Sequence, residues 1–320
     1  MSKALDIANP ARTQAIMRTY GLQVKKSLGQ NFLTDQNVLH NIVFTADISQ
    51  EDNVIEIGPG IGALTEYLAR AAHKVLAFEI DDRLLPILDE TLADYDNIDI
   101  VNQDILKVDL PAMIQEHLEP DRPLKLVANL PYYITTPILM NLLAGDVRFE
   151  NIVVMMQKEV ADRLAAEPGT KAYGALTIAV QYRMAAEMAM VVPRTVFVPS
   201  PNVDSAIVKL TALPPRTHLP FDEDAFFKVV KAGFAHRRKN LWNNLQSLFG
   251  KLPETKEAIQ KALDTAEIDP KIRAERLTVD EFITLTDALH QADLLWDWSG
   301  YKMVAHWKTL WYNIDFSMKS

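Results

Sequence analysis

The stretch "NVIEIGPGIGALTEYLARAA", residues 53–72, decides the fold of this chain. Its first part, Asn53–Gly58, is a short apolar run that predicts a buried strand, and "ALTEYLARAA" has the amphipathic pattern of a helix. The loop between them carries Gly58, Gly60 and Gly62. In a doubly wound sheet, this strand, loop and helix form the turn where the backbone approaches a nucleotide-like ligand. The glycine spacing alone also fits a purely structural tight turn.

Strand-like and helical patterns alternate along the first half of the chain. The strand candidates after the glycine loop are Lys74–Ile80, Ile98–Ile105, Leu124–Leu130 and Asn151–Gln157. Apolar residues recur at helical spacing before the loop, at residues 34–46, and again after the second strand in "RLLPILDETL". Strands that alternate with helices predict an α/β fold, in which a parallel sheet carries helices on both faces.

A second region follows a proline-rich linker, "LPPRTHLP" (Leu213–Pro220). Beyond it the pattern is helical only, at residues 222–234, 237–249, 254–264 and 278–291. We therefore predict three parts. Residues 1–212 form a catalytic domain, residues 213–289 form a small all-helical domain, and residues 290–320 form an aromatic-rich tail. The apolar stripe of the tail predicts packing on this protein or on a second copy, while a partner-binding helix and a non-native terminus remain open.

The composition is that of a globular protein. Apolar residues make up 48% of the chain and charged residues 23%, which is enough for real cores. No window approaches the roughly 18 apolar residues of a membrane span. The opening "MSKALDIANPARTQ" lacks the apolar core of a secretory signal. There are no cysteines, so disulfides and thiolate sites are excluded. We expect a cytoplasmic enzyme.

The formal net charge of −9 argues against a general polyanion binder, because nucleic-acid affinity depends on Lys and Arg meeting phosphate. The average hides two basic stretches, however. Residues 226–256 contain seven Lys or Arg residues and one acidic residue. Residues 6–26 contain four Lys or Arg residues and one acidic residue. Two basic patches on an acidic body could still bind RNA.

Polar side chains end three of the predicted strands. Glu79 closes the second strand 21 residues after Gly58, a position where an acid commonly accepts hydrogen bonds from ribose hydroxyls. Asp104 closes the third strand, and Asn129 closes the fourth. An NAD-dependent oxidoreductase would explain Glu79 but has no special need for the other two. A ligand with ribose, adenine and an amino acid group would use all three, and S-adenosylmethionine is such a ligand.

Nine short motifs resemble, in chain order, those of one enzyme family. They are "KSLGQNFLTD", "EIGPGIGALTEYL", "FEIDDRL", "NQDIL", "NLPYYITTPIL", "MMQKEVADRL", "KAYGALTI", "VFVPSPNVDSAIV" and "FAHRRKNLWNNL". From about Lys26 to Leu289 the chain is thus similar to the KsgA (RsmA) family, whose members are S-adenosylmethionine-dependent dimethyltransferases. They modify two adjacent adenines near the 3′ end of small-subunit (16S) ribosomal RNA.

The resemblance implies a Rossmann-like S-adenosylmethionine-dependent methyltransferase fold with a small all-helical C-terminal domain. It also implies S-adenosyl-L-methionine as the cofactor. The expected cofactor-binding residues are Asn31, Leu33, Gly58, Gly60, Glu79, Asp104 and Asn129.

The motif "NLPYY" predicts how the site makes adenine N6 reactive. N6 is a poor nucleophile because its lone pair is delocalised into the ring. A site that accepts both N6 hydrogens favours a pyramidal nitrogen with its lone pair aimed at the methyl group. The side-chain oxygen of Asn129 and a backbone carbonyl at Leu130–Pro131 can provide this, and Pro131 restricts the backbone there. Tyr132 offers a ring for a flipped base, and Phe197 resembles the second stacking position of the family. A cap at Asn129 and a core ring at Tyr132 are the structural alternative.

The expected partner is 16S rRNA within the immature 30S subunit, and the function would be coupled to late subunit assembly. In "HRRKNL", Arg237, Arg238 and Lys239 are predicted to contact RNA phosphate, although a charge run is usually a solvated helix face. The seven histidines form no obvious metal cluster, so we expect no metal. We also expect no membrane association and a monomer.

Two further readings share these motifs. An Erm-type enzyme, which methylates one adenine of large-subunit (23S) RNA, has the same fold and cofactor, and "KAYG" and "FAHRRKNL" favour the small-subunit enzyme over it. A non-catalytic RNA-binding relative would be expected to lose Asn129, Glu79 or the glycines, and this chain retains all of them.

Overall fold

The computed structural model describes residues 5–25 and 28–295. The strands of the described part are β1 (Phe32–Leu33), β2 (Asn53–Ile57), β3 (Lys74–Phe78), β4 (Ile98–Val101), β5 (Leu124–Asn129), β6 (Asn151–Gln157), β7 (Met184–Val192), β8 (Phe197–Val198) and β9 (Ser205–Ala212). The helices are α1 (Pro10–Thr19), α2 (Gln36–Thr45), α3 (Ala63–Ala71), α4 (Leu85–Thr91), α5 (Leu110–His117), α6 (Thr135–Ala144), α7 (Lys158–Leu164), α8 (Ala175–Gln181), α9 (Glu223–Gly233), α10 (Leu241–Phe249), α11 (Pro253–Thr265) and α12 (Val279–Gln291).

The described residues divide into two compact units. One comprises the residues up to 161 together with 186–212, and the other comprises 162–185 together with the residues from 213 onward. The first unit contains the glycine loop, and the second contains α9–α12. The second segment of the helical unit begins at residue 213, which is also the first residue of the predicted linker Leu213–Pro220. Residues 162–185 differ from the sequence-based domain boundaries, because they group with the helical unit although they precede the linker.

The main sheet of the first unit has the strand order β4-β3-β2-β5-β6-β9-β7 among the described residues. Strands β4, β3, β2, β5 and β6 are parallel neighbours, and β9 runs antiparallel to β6. Helices connect the parallel strands, as such crossovers require. The predicted α/β fold with a parallel sheet is confirmed.

The central strands are buried on both faces. All five residues of β2 are buried, and so are the first six of β6. Helix covers on both sides explain why these strands have continuous apolar sequences rather than alternating ones. The core of this unit also takes in Leu39 of α2 and Leu68 of α3, both with 0% exposure.

A small two-stranded ribbon lies apart from the main sheet in hydrogen bonding. β1 pairs antiparallel with β8, so that Phe32 lies opposite Val198 and Leu33 lies opposite Phe197. The backbone N–H of Thr34 extends the pairing by donating to the carbonyl of Val196 at 2.8 Å. This ribbon joins two segments that are about 160 residues apart in the chain. Its formation requires the closure of a long loop and therefore leaves no signal in the local sequence.

The second unit is built from capped amphipathic helices. Asp222 begins α9 by accepting from Ala225 N at 2.7 Å, and Thr278 forms a capping box with Glu281 at the start of α12. The predicted helix at 237–249 begins later than expected, at Leu241. Residues 235–239 form an exposed turn instead, and Asn240 caps the helix by accepting from Asn243 N at 3.0 Å.

The predicted tail lies almost entirely outside the described residues, which end at residue 295. Within the described part, none of the helices combines the length and the apolar character needed to cross a bilayer.

Candidate active site

The carboxyl ends of four neighbouring parallel strands meet at one edge of the sheet. The register places Ile57 of β2 between Phe78 of β3 and Ala128 of β5, and it pairs Phe78 with Val101 of β4. The predicted site residues at or just beyond these positions are Gly58, Glu79, Asp104 and Asn129. The edge is therefore the crevice in which doubly wound sheets bind their ligands.

The glycine loop needs glycine for two different reasons. Gly58 and Gly60 have φ values of +72° and +64°, in the left-handed region that other residues avoid. A Cβ atom at Gly60 would also lie 3.3 Å from the Phe32 ring. The loop backbone can consequently come close to a ligand and to β1 at the same time.

Glu79 is held at the end of β3 by backbone donors. Glu79 is 4% exposed, and its carboxylate oxygens accept from Asp81 N at 2.8 Å and from Gly60 N at 3.2 Å. Burial raises the pKa of Glu79 above its usual range, while these backbone hydrogen bonds act in the opposite direction. A carboxylate has about four acceptor positions, so both oxygens can still accept from a ligand.

Asp104 and Asn31 approach the same edge from different segments. Asp104 follows β4, and its carboxylate accepts from Leu106 N at 3.1 Å and lies 3.4 Å from Lys107 Nζ. Asn31 immediately precedes β1, and its side chain donates to the carbonyl of Gly29 at 3.0 Å. The pairing of β1 with β8 brings Asn31 and Leu33 to the pocket from far away in the sequence.

The "NLPY" segment leaves β5 in a defined conformation. Leu130 N donates to the Met155 carbonyl at 3.0 Å, which continues the ladder with β6. The Pro131 carbonyl accepts from Ile134 N at 3.2 Å and from Thr135 Oγ1 at 3.0 Å. These bonds fix the turn that the proline begins.

The polar ends of Asn129 and Tyr132 are each tied to another segment. The side-chain nitrogen of Asn129 donates to the Asn31 carbonyl at 3.5 Å. The hydroxyl of Tyr132 lies 2.7 Å from Oγ of the fully buried Ser205, at the start of β9. Tyr132 is half-buried, and burial raises the pKa of its hydroxyl.

One pocket collects every predicted catalytic and cofactor-binding residue. Its lining includes Asn31, Leu33, Gly58, Gly60, Glu79, Asp104, Asn129, Leu130, Pro131, Tyr132 and Phe197. Phe197 is 3% exposed and lies opposite Leu33 in the small ribbon, so its ring forms a wall rather than a free platform in this structure.

Glu56 also lines the pocket, and the sequence reasoning assigned it no role. It is 1% exposed, and its Oε2 has no hydrogen-bond partner within residues 5–25 and 28–295. Burial raises the pKa of Glu56 to about 8. The available signal was an acid inside the otherwise apolar run "NVIEI". A buried carboxyl oxygen without a protein partner beside a pocket can accept a hydrogen bond from a ligand.

The predicted RNA-binding residues lie in the second unit. Arg237, Arg238 and Lys239 are all exposed in the turn before α10. Arg237 donates to the carbonyls of Lys171 and Tyr173. Its guanidinium is therefore partly occupied within the unit, whereas the sequence suggested three equivalent cations.

Among the described residues, no group of three or more His, Asp or Glu side chains is placed to bind a metal ion.

Comparisons with known proteins agree with this geometry. The family model described as ribosomal RNA adenine dimethylase matches residues 21–291. A protein of Lactiplantibacillus plantarum named ribosomal RNA small subunit methyltransferase A is 90% identical over 92% of this chain and 100% of its own length. A Streptococcus mutans protein of the same name is 59% identical over 91% of this chain and 100% of its own length.

Two solved structures resemble the fold. A dimethyladenosine transferase from Plasmodium falciparum has a TM-score of 0.67 and 26% identity, covering 82% of this chain and 98% of that one. The 23S rRNA methyltransferase ErmE has a TM-score of 0.62 and 28% identity, covering 82% of this chain and 100% of its own. With its glycine loop, strand-end acids and "NLPY" turn in one pocket, and with the family model spanning residues 21–291, the chain belongs to the ribosomal RNA adenine dimethylase family.

Proposed function

We propose that this protein transfers methyl groups from S-adenosylmethionine to the N6 atoms of two adjacent adenines in the 3′-terminal hairpin loop of 16S rRNA. The observation that carries the proposal is the single pocket that joins the glycine loop, Glu79 and Asp104 to the "NLPY" turn. Family membership confirms the predicted resemblance, the enzyme class and the cofactor. The name of the 90% identical relative supports the small subunit as the source of the RNA.

The residues present fit S-adenosylmethionine. The carboxylate of Glu79 is held where ribose hydroxyls can donate to it, and Asp104 can accept from the exocyclic amine of the cofactor's adenine. The unpaired oxygen of Glu56 suits the amino group of the methionine part. When bound, the cofactor supplies an electrophilic methyl group on its sulfur.

The protein's part in the chemistry is to position and polarise the adenine amine. The side-chain oxygen of Asn129 accepts one N6 hydrogen. The Pro131 carbonyl already accepts from Ile134 N and Thr135 Oγ1, so the Leu130 carbonyl is the better candidate for the second acceptor. Two fixed acceptors favour the pyramidal nitrogen that attacks, because they need no rearrangement during the reaction. Tyr132 holds the base by stacking, with its hydroxyl tied to Ser205.

The natural substrate in this proposal is the immature 30S subunit, on which a monomer of this protein acts in the cytoplasm during late assembly. The helical residues 213–289 form its RNA-binding domain, with the exposed turn at Arg237–Lys239 as the phosphate contact. Exposed cations in a turn suit this role because they can reach phosphate without first leaving a buried site.

The test supplies S-adenosylmethionine with a labelled methyl group to four substrates. These are immature small subunits, mature small subunits lacking the modification, free 16S rRNA and 23S rRNA. The expected result is two dimethylated neighbouring adenines in the small-subunit RNA, with immature subunits preferred. Labelling of one adenine in 23S rRNA alone would indicate the Erm-type activity instead.

A non-catalytic or oxidoreductase role predicts a different set of results. An RNA-binding relative would bind subunits without transferring label, and an oxidoreductase would bind NAD. Calorimetry with S-adenosylhomocysteine and NAD distinguishes these cases, and binding of NAD alone would overturn the proposal.

A further inference from the structure

The carboxylate of Asp81 is fully buried and collects donors from two separate segments. Its side chain has 0% exposure. One oxygen accepts from Lys25 Nζ at 3.1 Å and Arg83 Nε at 2.9 Å. The other accepts from Gln30 Nε2 at 2.8 Å and Arg83 Nη2 at 2.6 Å. Hydrogen bonds to a charged group are stronger than those between neutral groups. Here they offset the free-energy cost of removing the carboxylate from water.

The segment that Asp81 holds is a wall of the cofactor pocket. Residues 28–33 all line that pocket. Gln30 is fixed at both ends of its amide, because its Oε1 accepts from Lys25 N at 2.9 Å while its Nε2 donates to Asp81. The wall also lies close to Tyr133, because a Cβ atom at Gly29 would be 3.2 Å from the Tyr133 ring.

Asp81 also acts on Glu79 through its backbone. Its N–H donates to Glu79 Oε1 at 2.8 Å, so the turn that places the Asp81 carboxylate also orients the acid at the end of β3. One short turn thereby connects the segment before β1 with the strand end that meets the ribose in the proposed function.

We infer that Asp81 is a positioning residue for cofactor binding, which anchors the pocket wall at residues 28–33 to the carboxyl end of β3. Asp81 does not itself line the pocket, so it acts through Gln30 and Glu79 rather than by touching the cofactor. The inference rests on the proposed placement of S-adenosylmethionine in this pocket. In Asp81→Asn, one acceptor oxygen becomes an amide nitrogen. That nitrogen would face either Lys25 Nζ with Arg83 Nε or Gln30 Nε2 with Arg83 Nη2, and the two donors that it faces lose their acceptor.

The test compares Asp81→Asn with Asp82→Asn, which changes the neighbouring exposed acid in the same way. Calorimetry with S-adenosylhomocysteine should give a Kd raised roughly tenfold or more for Asp81→Asn, the usual loss for a hydrogen bond to a charged group, and an unchanged Kd for Asp82→Asn. Steady-state kinetics should show the matching rise in KM for S-adenosylmethionine, with kcat at saturating cofactor nearly unchanged. A merely structural role would not produce this split.

Gln30 provides a second and independent variant. Gln30→Ala should weaken S-adenosylhomocysteine binding, and Gln30→Lys, which restores a donor to Asp81, should retain more affinity than Gln30→Ala. In the Asp81→Asn background, Gln30→Ala should cost less affinity than it does in the unmodified protein, because both changes weaken the same anchor. The Gln30 pair remains decisive if Asp81→Asn does not fold.

An unchanged Kd in Asp81→Asn, or a loss of kcat and thermal stability without a change in Kd, would overturn the inference. So would equal affinities of Gln30→Ala and Gln30→Lys. Glu79→Ala separates this result from the proposed function. If Glu79→Ala also leaves binding unchanged, the cofactor placement itself is wrong. If Glu79→Ala weakens binding and the Asp81 and Gln30 variants do not, the anchor alone is wrong.

Discussion

At the scale of single residues, the proposed mechanism depends on hydrogen-bond acceptors at the end of β5. Asn129 is the last residue of that strand, and Leu130 N continues its ladder with Met155. Sequence analysis predicts a catalytic role for these residues because a polar side chain and a proline follow an apolar strand whose carboxyl end faces the expected ligand crevice. It could not find the partner of Tyr132, because Ser205 is 73 residues away and belongs to a strand that pairs only in the folded sheet.

Replacing Asn129 with Ala should remove most turnover and leave cofactor binding measurable. The variant loses one fixed acceptor beside the reacting nitrogen, a change typically worth roughly ten- to a thousandfold in rate. Single-turnover methylation measures the rate, and calorimetry with S-adenosylhomocysteine measures the binding. Asn37→Ala, on the exposed face of α2, is the matched control. A near-normal single-turnover rate for Asn129→Ala would show that the amide is structural.

Glu56 should make the stability of the protein depend on pH. Its pKa is about 8 in the folded state against an ordinary value of 4.5, because burial disfavours the charged form and Glu79 adds to the effect. Between these two pH values the folded state holds a proton that the unfolded state has lost. The contribution of Glu56 to the free energy of unfolding therefore falls as pH rises from 4.5 to about 8, at up to about 1.4 kcal/mol per unit.

Urea unfolding at several pH values between about 5 and about 8.5 measures this dependence. Glu56→Gln has no titrating group at this position. The free energy of unfolding of the unmodified protein should therefore fall relative to that of Glu56→Gln as pH rises through this window. Glu116→Gln, an exposed change on α5, should run parallel to the unmodified protein. Parallel curves for Glu56→Gln as well would mean that Glu56 is charged in the folded state.

At the scale of elements, the parallel strands are the ones that the sequence predicts. β6 agrees at both ends with the predicted Asn151–Gln157, β2 differs by one residue, and β4 ends at Val101 rather than at the predicted Ile105. Parallel strands covered on both faces have continuous apolar runs, which are easy to recognise. The alternating burial of β7 and the two-residue length of β1 and β8 gave no comparable signal, since their pairing depends on distant partners.

The glycine loop should be sensitive to the smallest added side chain. Gly60→Ala places a Cβ atom in the left-handed region, which costs roughly 1–2 kcal/mol, and brings it 3.3 Å from the Phe32 ring. We expect a lower thermal stability and weaker binding of S-adenosylhomocysteine, since Phe32 belongs to the ribbon that carries the pocket wall. Gly174→Ala is the control, because Gly174 is extended and a Cβ there meets nothing within 4 Å. Equal stability and affinity in both variants would contradict the close approach.

At the scale of the whole molecule, the charge is unevenly distributed. The chain carries −9, yet the turn before α10 presents three adjacent cations. The linker at Leu213–Pro220 was recognisable from its prolines, whereas the grouping of residues 162–185 with the helical unit was not. Those residues follow β6 and extend into the first two residues of β7. Their place depends on long-range bonds such as the Tyr173 hydroxyl donating to the Leu277 carbonyl at 2.8 Å. Such bonds leave no pattern in the local sequence.

The exposed turn should supply salt-dependent affinity for ribosomal RNA. Arg238 and Lys239 have their side chains exposed, so their joint replacement by Ala should weaken subunit binding and flatten its dependence on salt. The expected change in slope is about 0.9 units for each duplex phosphate that the variant no longer neutralises, and somewhat less for single strands. Adding Arg237→Ala should extend the loss and also lower thermal stability, because Arg237 donates to the Lys171 and Tyr173 carbonyls. Cofactor binding should stay unchanged in every variant.

The matched control removes the same charge from α11 of the same unit, by replacing the exposed Lys256 and Lys261 with Ala. If the turn contacts phosphate, the control variant should show the same dependence of subunit affinity on salt as the unmodified protein. Charges farther than about 10 Å from a phosphate are largely screened and contribute little to this dependence. Equal flattening in both double variants would mean that the net charge of the unit governs binding and that the turn has no special place in it. Unaltered affinity across the salt series for the Arg238 and Lys239 variant would make the cations a solvated surface.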